Sequence, residues 1–148
     1  MTWFPQTGPS PHLSWKELAC RDGTSYPVEW RKDRAVKLAV EFERIRAAVG
    51  GRILIGSAYR TEAWNKKVGG VKWSQHRLGL ALDLYPPEGM FVAGFFNIIR
   101  QIADDPKSAV YGVGLYPTFV HFDCRQTPNR DRLAIWNGSR ISAERKNV

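Results

Sequence analysis

The sequence predicts an α+β domain, with helices packed on one side of a small, mainly antiparallel sheet. Three observations carry that prediction. Short strand-like stretches gather mostly in the second half of the chain, amphipathic helical stretches precede and separate them, and no regular strand–helix–strand repeat is present. At 148 residues the chain has the length of one domain with a real core, so residues 1–148 are read as a single domain.

The elements follow in order. Residues 1–12 hold three prolines and read as an irregular arm. Ser14-Trp15-Lys16-Glu17 has the form of a capping box that opens a short helix. Arg21 to Pro27 is a loop with an Asp-Gly turn. Val28 to Val49 is the clearest helix, because Ala35, Leu38, Ala39, Phe42, Ile45 and Val49 recur at three- and four-residue steps. Gly50-Gly51 stops it, and Arg52 to Ser57 reads as a strand. Thr61 caps a short helix running through Trp64 and Lys66. Gly69-Gly70 turns the chain toward the segment Ser74 to Asp83, which ends in the short buried strand around Leu80, Ala81, Leu82 and Leu84. Glu88 to Ala103 is a second long helix, with Phe91, Phe95, Ile98, Ile99 and Ile102 on its buried side, ended by Asp104-Asp105-Pro106. Val110 to Tyr116 and Phe119 to Cys124 are paired strands, and Ile135 and Trp136 add a last short one. The tail from Ser139 is polar and expected to fray.

Composition narrows the function classes. Hydrophobic residues make up 43% and charged residues 24%, which is ordinary for a globular protein and argues against disorder. The most apolar run, Phe91 to Ile102, is interrupted by Gly94, Asn97, Arg100 and Gln101, so no membrane span is expected. The N-terminus lacks a basic start and an apolar core, so the expectation is synthesis in the cytoplasm without a secretory signal. Two cysteines, Cys20 and Cys124, are too few for a disulfide scaffold and are expected to be reduced. The net charge is +8, and Arg60, Lys66, Lys67, Lys72 and Arg77 crowd one stretch, a field that attracts an anionic partner. Wall polymer and nucleic acid both qualify. No Cys/His finger spacing and no aromatic–basic stacking platform points to nucleic acid specifically.

The chemistry is concentrated in two segments. His76 and Asp83 are seven residues apart in Ser-Gln-His-Arg-Leu-Gly-Leu-Ala-Leu-Asp, with Gly79 between them where the chain can turn tightly. Downstream, alternation in Phe119-Val120-His121-Phe122-Asp123 puts His121 and Asp123 on one face of a strand and Val120 and Phe122 on the other. Two imidazoles and a carboxylate can ligate Zn²⁺ and leave a fourth position open, as a catalytic zinc needs. The third histidine, His12, lies in the Pro-rich arm and is expected to be solvated.

These residues resemble the zinc D-Ala-D-Ala carboxypeptidase and L-Ala-D-Glu endopeptidase family, part of a larger group with lysostaphin-type peptidases and the hedgehog domain. The family signature is Ser-x-His-x-x-Gly-x-Ala-x-Asp, and Ser74, His76, Gly79, Ala81 and Asp83 match every fixed position. Gly56-Ser57-Ala58-Tyr59-Arg60-Thr61 is similar to the family's Ser-Gly-Tyr-Arg-Thr segment, with Ala58 in place of the usual Gly. Asn65, Gly69-Gly70 and Gly112-Val113-Gly114-Leu115-Tyr116-Pro117 with Phe119-Val120-His121 extend the likeness over Leu13 to Trp136. The resemblance implies an α+β fold, zinc held by His76, Asp83 and His121, and hydrolysis of peptidoglycan stem peptides or cross-links, as a carboxypeptidase or an endopeptidase. It also implies that Arg60 binds a substrate carboxylate, for which a planar guanidinium is suited. Ser74 either adds a hydroxyl contact to that group or is a turn hydroxyl bonded to backbone. A single-domain enzyme of this kind, here expected to be a monomer, resembles a phage or prophage lysin, acting in the cell wall after release or carried on the virion. The alternative is a non-catalytic, zinc-stabilised binding module of the same fold.

One departure from the family stands out. Many relatives carry a general base as a Glu three residues before the last ligand or a His two before it, and here those positions are Thr118 and Phe119. Asp123, two residues after His121 and on the same face, is the expected general base. Its alternatives are a carboxylate that orients a ligand imidazole and a salt-bridge partner of Arg60 or Arg125. Glu62 and Asp22 are the next carboxylates to consider.

Overall fold

A computed structural model describes residues 7–126 and 133–144. The fold is α+β. Four α-helices, α1 (Trp15–Leu18), α2 (Arg34–Val49), α3 (Glu62–Lys67) and α4 (Val92–Ala103), accompany strands β1 (Leu54–Ser57), β2 (Ala81–Tyr85), β3 (Gly112–Leu115), β4 (Val120–Asp123) and β5 (Ala134–Asn137). The strands form one sheet in the order β1-β2-β4-β3-β5. All pairings are antiparallel except that of β3 with β5, which is parallel.

Local chemistry accounts for the element ends. Ser14 and Glu17 form a complete capping box on α1, and the Thr61 hydroxyl accepts from the Trp64 N–H to start α3. The helix expected from Val28 begins later. Val28–Trp30 is a single 3₁₀ turn, and α2 starts at Arg34 because the Asp33 carboxylate takes its first free N–H. Gly50, at φ +65°, closes α2. Similarly, α4 starts at Val92 rather than Glu88. Phe91 is therefore its cap residue and 88% exposed, not part of the buried stripe, while Phe95, Phe96 and Ile99 fill that stripe.

The sheet has two unlike faces. Leu82 and Leu84 of β2, Val113 of β3, and Val120 and Phe122 of β4 point into the core, where they meet Leu38, Phe42, Ile45, Phe95 and Ile99 from α2 and α4. Strand alternation then sends Asp83, His121 and Asp123 to the opposite face. Cys124 joins the core, as alternation after Asp123 requires, and Cys20 is buried as well.

Two expectations about the ends of the chain are corrected within the described residues. Of the N-terminal arm, residues 1–6 lie outside them, but Ser10 and His12 are tied to α2. Ser10 Oγ donates to Glu43 Oε2 at 2.7 Å, and His12 Nδ1 lies 2.7 Å from Glu43 Oε1. His12 is thus partnered and not merely solvated. Of the tail, residues 145–148 lie outside the described set. Ala143 and Glu144 are buried, because their polar groups find partners beside β1. Among the described residues no helix is long and apolar enough to cross a membrane.

Candidate metal centre

The first histidine reaches the sheet through a turn. Gln75–Leu78 forms a 3₁₀ turn capped by Ser74, whose hydroxyl accepts from the His76 N–H at 3.1 Å. Gly79 ends it at φ +68°, a conformation that side chains rarely adopt. A Cβ there would also come within 2.9 Å of the Tyr26 hydroxyl and 2.7 Å of the Trp30 ring. The chain then enters β2, which carries Asp83 opposite His121 in register.

The result is a cluster in which one atom from each of His76, Asp83 and His121 lies within 4.8 Å of the others. All three side chains are buried. His76 Nε2 is 3.2 Å from Asp83 Oδ2, and His121 Nδ1 is 2.9 Å from Asp83 Oδ1. The other ring nitrogens are also engaged. His76 Nδ1 lies 2.7 Å from the Ala58 carbonyl, which can only accept, so Nδ1 carries the proton and Nε2 the lone pair. His121 Nε2 lies 2.8 Å from Asp123 Oδ2, a contact that turns Nδ1 toward the cluster. Orienting partners of this kind are what metal-binding histidines require.

The electrostatics follow from the packing. Burial works to raise the Asp83 carboxyl, but the two imidazoles packed against it outweigh that and hold the group far below the ordinary carboxylate range. Burial and the nearby Arg60 push His76 down. Burial also opposes charge on His121, yet its bonds to Asp123 and Asp83 raise it to about 9. The Asp83 carboxylate is thus kept ionised between the two imidazoles.

Asp123 is fully buried. Arg125 grips it with two bonds, Nε to Oδ1 and Nη2 to Oδ2, each 2.8 Å. Gly112 makes room for this pair, since a Cβ there would stand 2.3 Å from Asp123 Oδ2. The carboxylate lies on the Nε2 edge of His121, away from the edge that faces Asp83. Both oxygens are bonded, an arrangement that favours the second of its expected roles, a carboxylate that orients His121. The next choices do not supply a base in the cleft. Glu62 is exposed and pairs with Arg77, and Asp22 caps the Thr24 and Thr61 loops. Thr118 donates to the Ile141 carbonyl, and Phe119 is buried against Tyr116.

Arg60 is 2% exposed. It donates to Ser57 Oγ (3.1 Å), Asn65 Oδ1 (3.1 Å) and the Ala143 carbonyl (3.2 Å), and its Nη2 lies 3.6 Å from Asp83 Oδ2. Three of the five guanidinium N–H groups are thus committed to the protein. The Ser74 hydroxyl accepts from the turn, and its own O–H remains to donate in the cleft.

The cluster sits in a cavity of about 450 Å³ whose walls include Arg60, Trp73, Tyr116, Arg125, Trp136 and Arg140. Asp83 is the only carboxylate among the described lining residues. Sequence reasoning missed Trp136 and Arg140 as cleft residues. Trp136 lies opposite Gly114 in register, and its ring centroid is 5.1 Å from that of His121. The local signal for it is a tryptophan on a short strand that can be paired with a Gly-x-Gly strand. Arg140 has no local signal, because its neighbours come from distant segments.

An α+β fold with a buried His–Asp–His donor set at the floor of an open cleft is the arrangement of a candidate metal centre. The family model for peptidase M15 matches residues 11–123, and the chain belongs to that family. M15 peptidases are zinc-dependent metallopeptidases that act on the cell wall. No curated protein matches the chain in sequence.

Proposed function

We propose that the protein is a zinc peptidase that hydrolyses peptide bonds of bacterial peptidoglycan, as a D-Ala-D-Ala-type carboxypeptidase or an endopeptidase. The observation that carries the reading is the three-donor cluster at the floor of a cleft walled by three arginines. Two imidazole nitrogens and one carboxylate, each buried and oriented by a partner, fit zinc in number and kind. His76, Asp83 and His121 are the proposed ligands. Zinc bound there supplies Lewis acidity that polarises a scissile carbonyl and acidifies water.

The protein's own groups supply the rest. Ala58 and Asp123 fix the two imidazoles. Arg60 balances the charge of Asp83 and, with two N–H groups not committed to the protein, is the proposed anchor for a carboxylate of the wall peptide. The cationic walls favour such an anionic substrate. Release of phage or prophage progeny is the proposed setting.

The test is digestion of purified peptidoglycan with and without chelator, followed by mass spectrometry of the muropeptides. Chelator-sensitive release of new termini is expected, and the fragments name the bond. Wall binding without release would overturn the enzyme reading in favour of the non-catalytic module.

A further inference from the structure

The segment Arg140–Glu144 lies beyond the residues matched by the family model, yet it is built into the cleft. Ala143 is 1% exposed and Glu144 is 8% exposed. Thr118 Oγ1 donates to the Ile141 carbonyl on one side. On the other, Glu144 Oε2 accepts from Ser57 Oγ at 2.7 Å and Oε1 accepts from Trp64 Nε1 at 2.9 Å. A Cβ at Gly56 would stand 2.7 Å from the Ala143 Cβ, so only glycine lets this strap close against β1.

What the strap holds is a pair of cations. The Ala143 carbonyl accepts from Arg60 Nη2 at 3.2 Å and from Arg140 Nη2 at 3.3 Å. Two guanidinium groups on one oxygen repel each other. Glu144 Oε2, 3.6 Å from Arg60 Nε, offsets part of that repulsion. Both arginines line the cleft, and Arg140 Nε is buried without a hydrogen-bond partner. A buried donor left unmatched between like charges is a place for an incoming anion.

We propose that the strap is a working part of the site: it sets Arg60 and Arg140 together as a two-cation seat for the substrate's carboxylate, with Glu144 as the positioning residue that holds Arg60. The inference deepens the peptidase reading and rests on it. Glu144 acts through Arg60 and touches no reacting atom.

The test is a mutant cycle on soluble muropeptides prepared from purified peptidoglycan, reading KM, kcat, bound zinc and thermal midpoint. Glu144→Gln keeps the shape, removes the charge and leaves one of the two acceptor oxygens. It should raise KM by about tenfold, the loss of one charge-assisted contact, with kcat and zinc content unchanged. Arg140→Gln, at a half-buried position, should do the same without threatening the fold. In an Arg60→Lys background, Glu144→Gln should add little, because the group it positions is already altered. A wild-type KM in both Glu144→Gln and Arg140→Gln, or a lower thermal midpoint with KM unchanged, would reduce the strap to a structural clip and overturn the proposal. Full additivity of Glu144→Gln with Arg60→Lys would also overturn it. If no muropeptide is cleaved by the wild-type protein, the peptidase reading itself fails, and the seat falls with it.

Discussion

Asp83 and His121 are register partners on adjacent strands, and their side chains meet at 2.9 Å although 38 residues separate them. The pairing of β2 with β4 therefore sets the geometry of the donor cluster, and a one-residue slip of either strand would turn its donor into the core.

That dependence gives the first prediction. His76→Ala or His121→Ala should abolish hydrolysis and weaken zinc binding by more than the ~10–100-fold that loss of a supporting partner costs. Titration against a competing chelator measures this. Zinc held by His121→Ala with wild-type affinity would remove the assignment.

Gly79 links the His76 turn to β2 in a backbone conformation closed to most side chains. Gly79→Ala should destabilise the fold by ~1 kcal/mol or more and shift His76 away from Asp83, since the added Cβ meets Tyr26 and Trp30. Chemical denaturation gives the first effect and zinc affinity the second. Unchanged values for both would show that the turn is more tolerant than its contacts imply.

Arg60→Lys keeps the charge and loses the planar fork. It should raise KM at least about tenfold, from loss of a charged contact worth about 1.5–3 kcal/mol, with zinc content intact. Steady-state kinetics beside metal analysis is the check. Unaltered KM would take Arg60 out of substrate binding.

The legible part of the site is the part written in short-range pattern. His76 and Asp83 share one segment, and His121 and Asp123 share a face through the two-residue period of β4. The sheet, the capped helices and the role of Gly79 were legible for the same reason. The start of α2 was not, because Asp33 competes locally with a periodicity that reads back to Val28. Glu144, Arg140 and Trp136 were not, because each is defined by contacts across distant segments: Glu144 lies 87 residues from Ser57. Polar tails read as frayed until their partners are known. The role of Asp123 turned on which edge of an imidazole it meets, and strand alternation cannot express that.

Glu43 anchors the N-terminal arm through Ser10 and His12. Burial works to raise its carboxyl, but hydrogen bonds from Ser10 and His12 outweigh that and lower it. A carboxylate with a depressed folded value contributes stability that is present above its unfolded value of about 4.3 and lost as pH falls through the folded one. Glu43→Gln should therefore cost about 1 kcal/mol near neutral pH, allowing for solvent screening. The variant and wild-type melting points should converge on acidification below about pH 4. A gap that stays constant from pH 7 to pH 3 would mean that shape, not charge, holds the arm.

Asp123 gives the sharpest test of how the centre works. Its carboxylate bridges His121 Nε2 and Arg125, which places it behind the imidazole and not beside the cluster. A group in that place fixes the ring and raises the basicity of the opposite nitrogen. Asp123→Asn keeps the shape but removes the negative charge and half of the grip of Arg125. Zinc affinity should fall by ~10–100-fold, while turnover at saturating zinc stays close to wild type. A general base predicts the reverse: full zinc affinity and turnover lower by about 10²–10⁴. Gly112→Ala offers an independent route to the same end, because its Cβ would stand 2.3 Å from Asp123 Oδ2 and push the carboxylate off the ring. It should lower zinc affinity in the same direction. If Asp123→Asn instead leaves zinc affinity intact and turnover collapses, the orienting role is wrong and Asp123 returns as the proton acceptor.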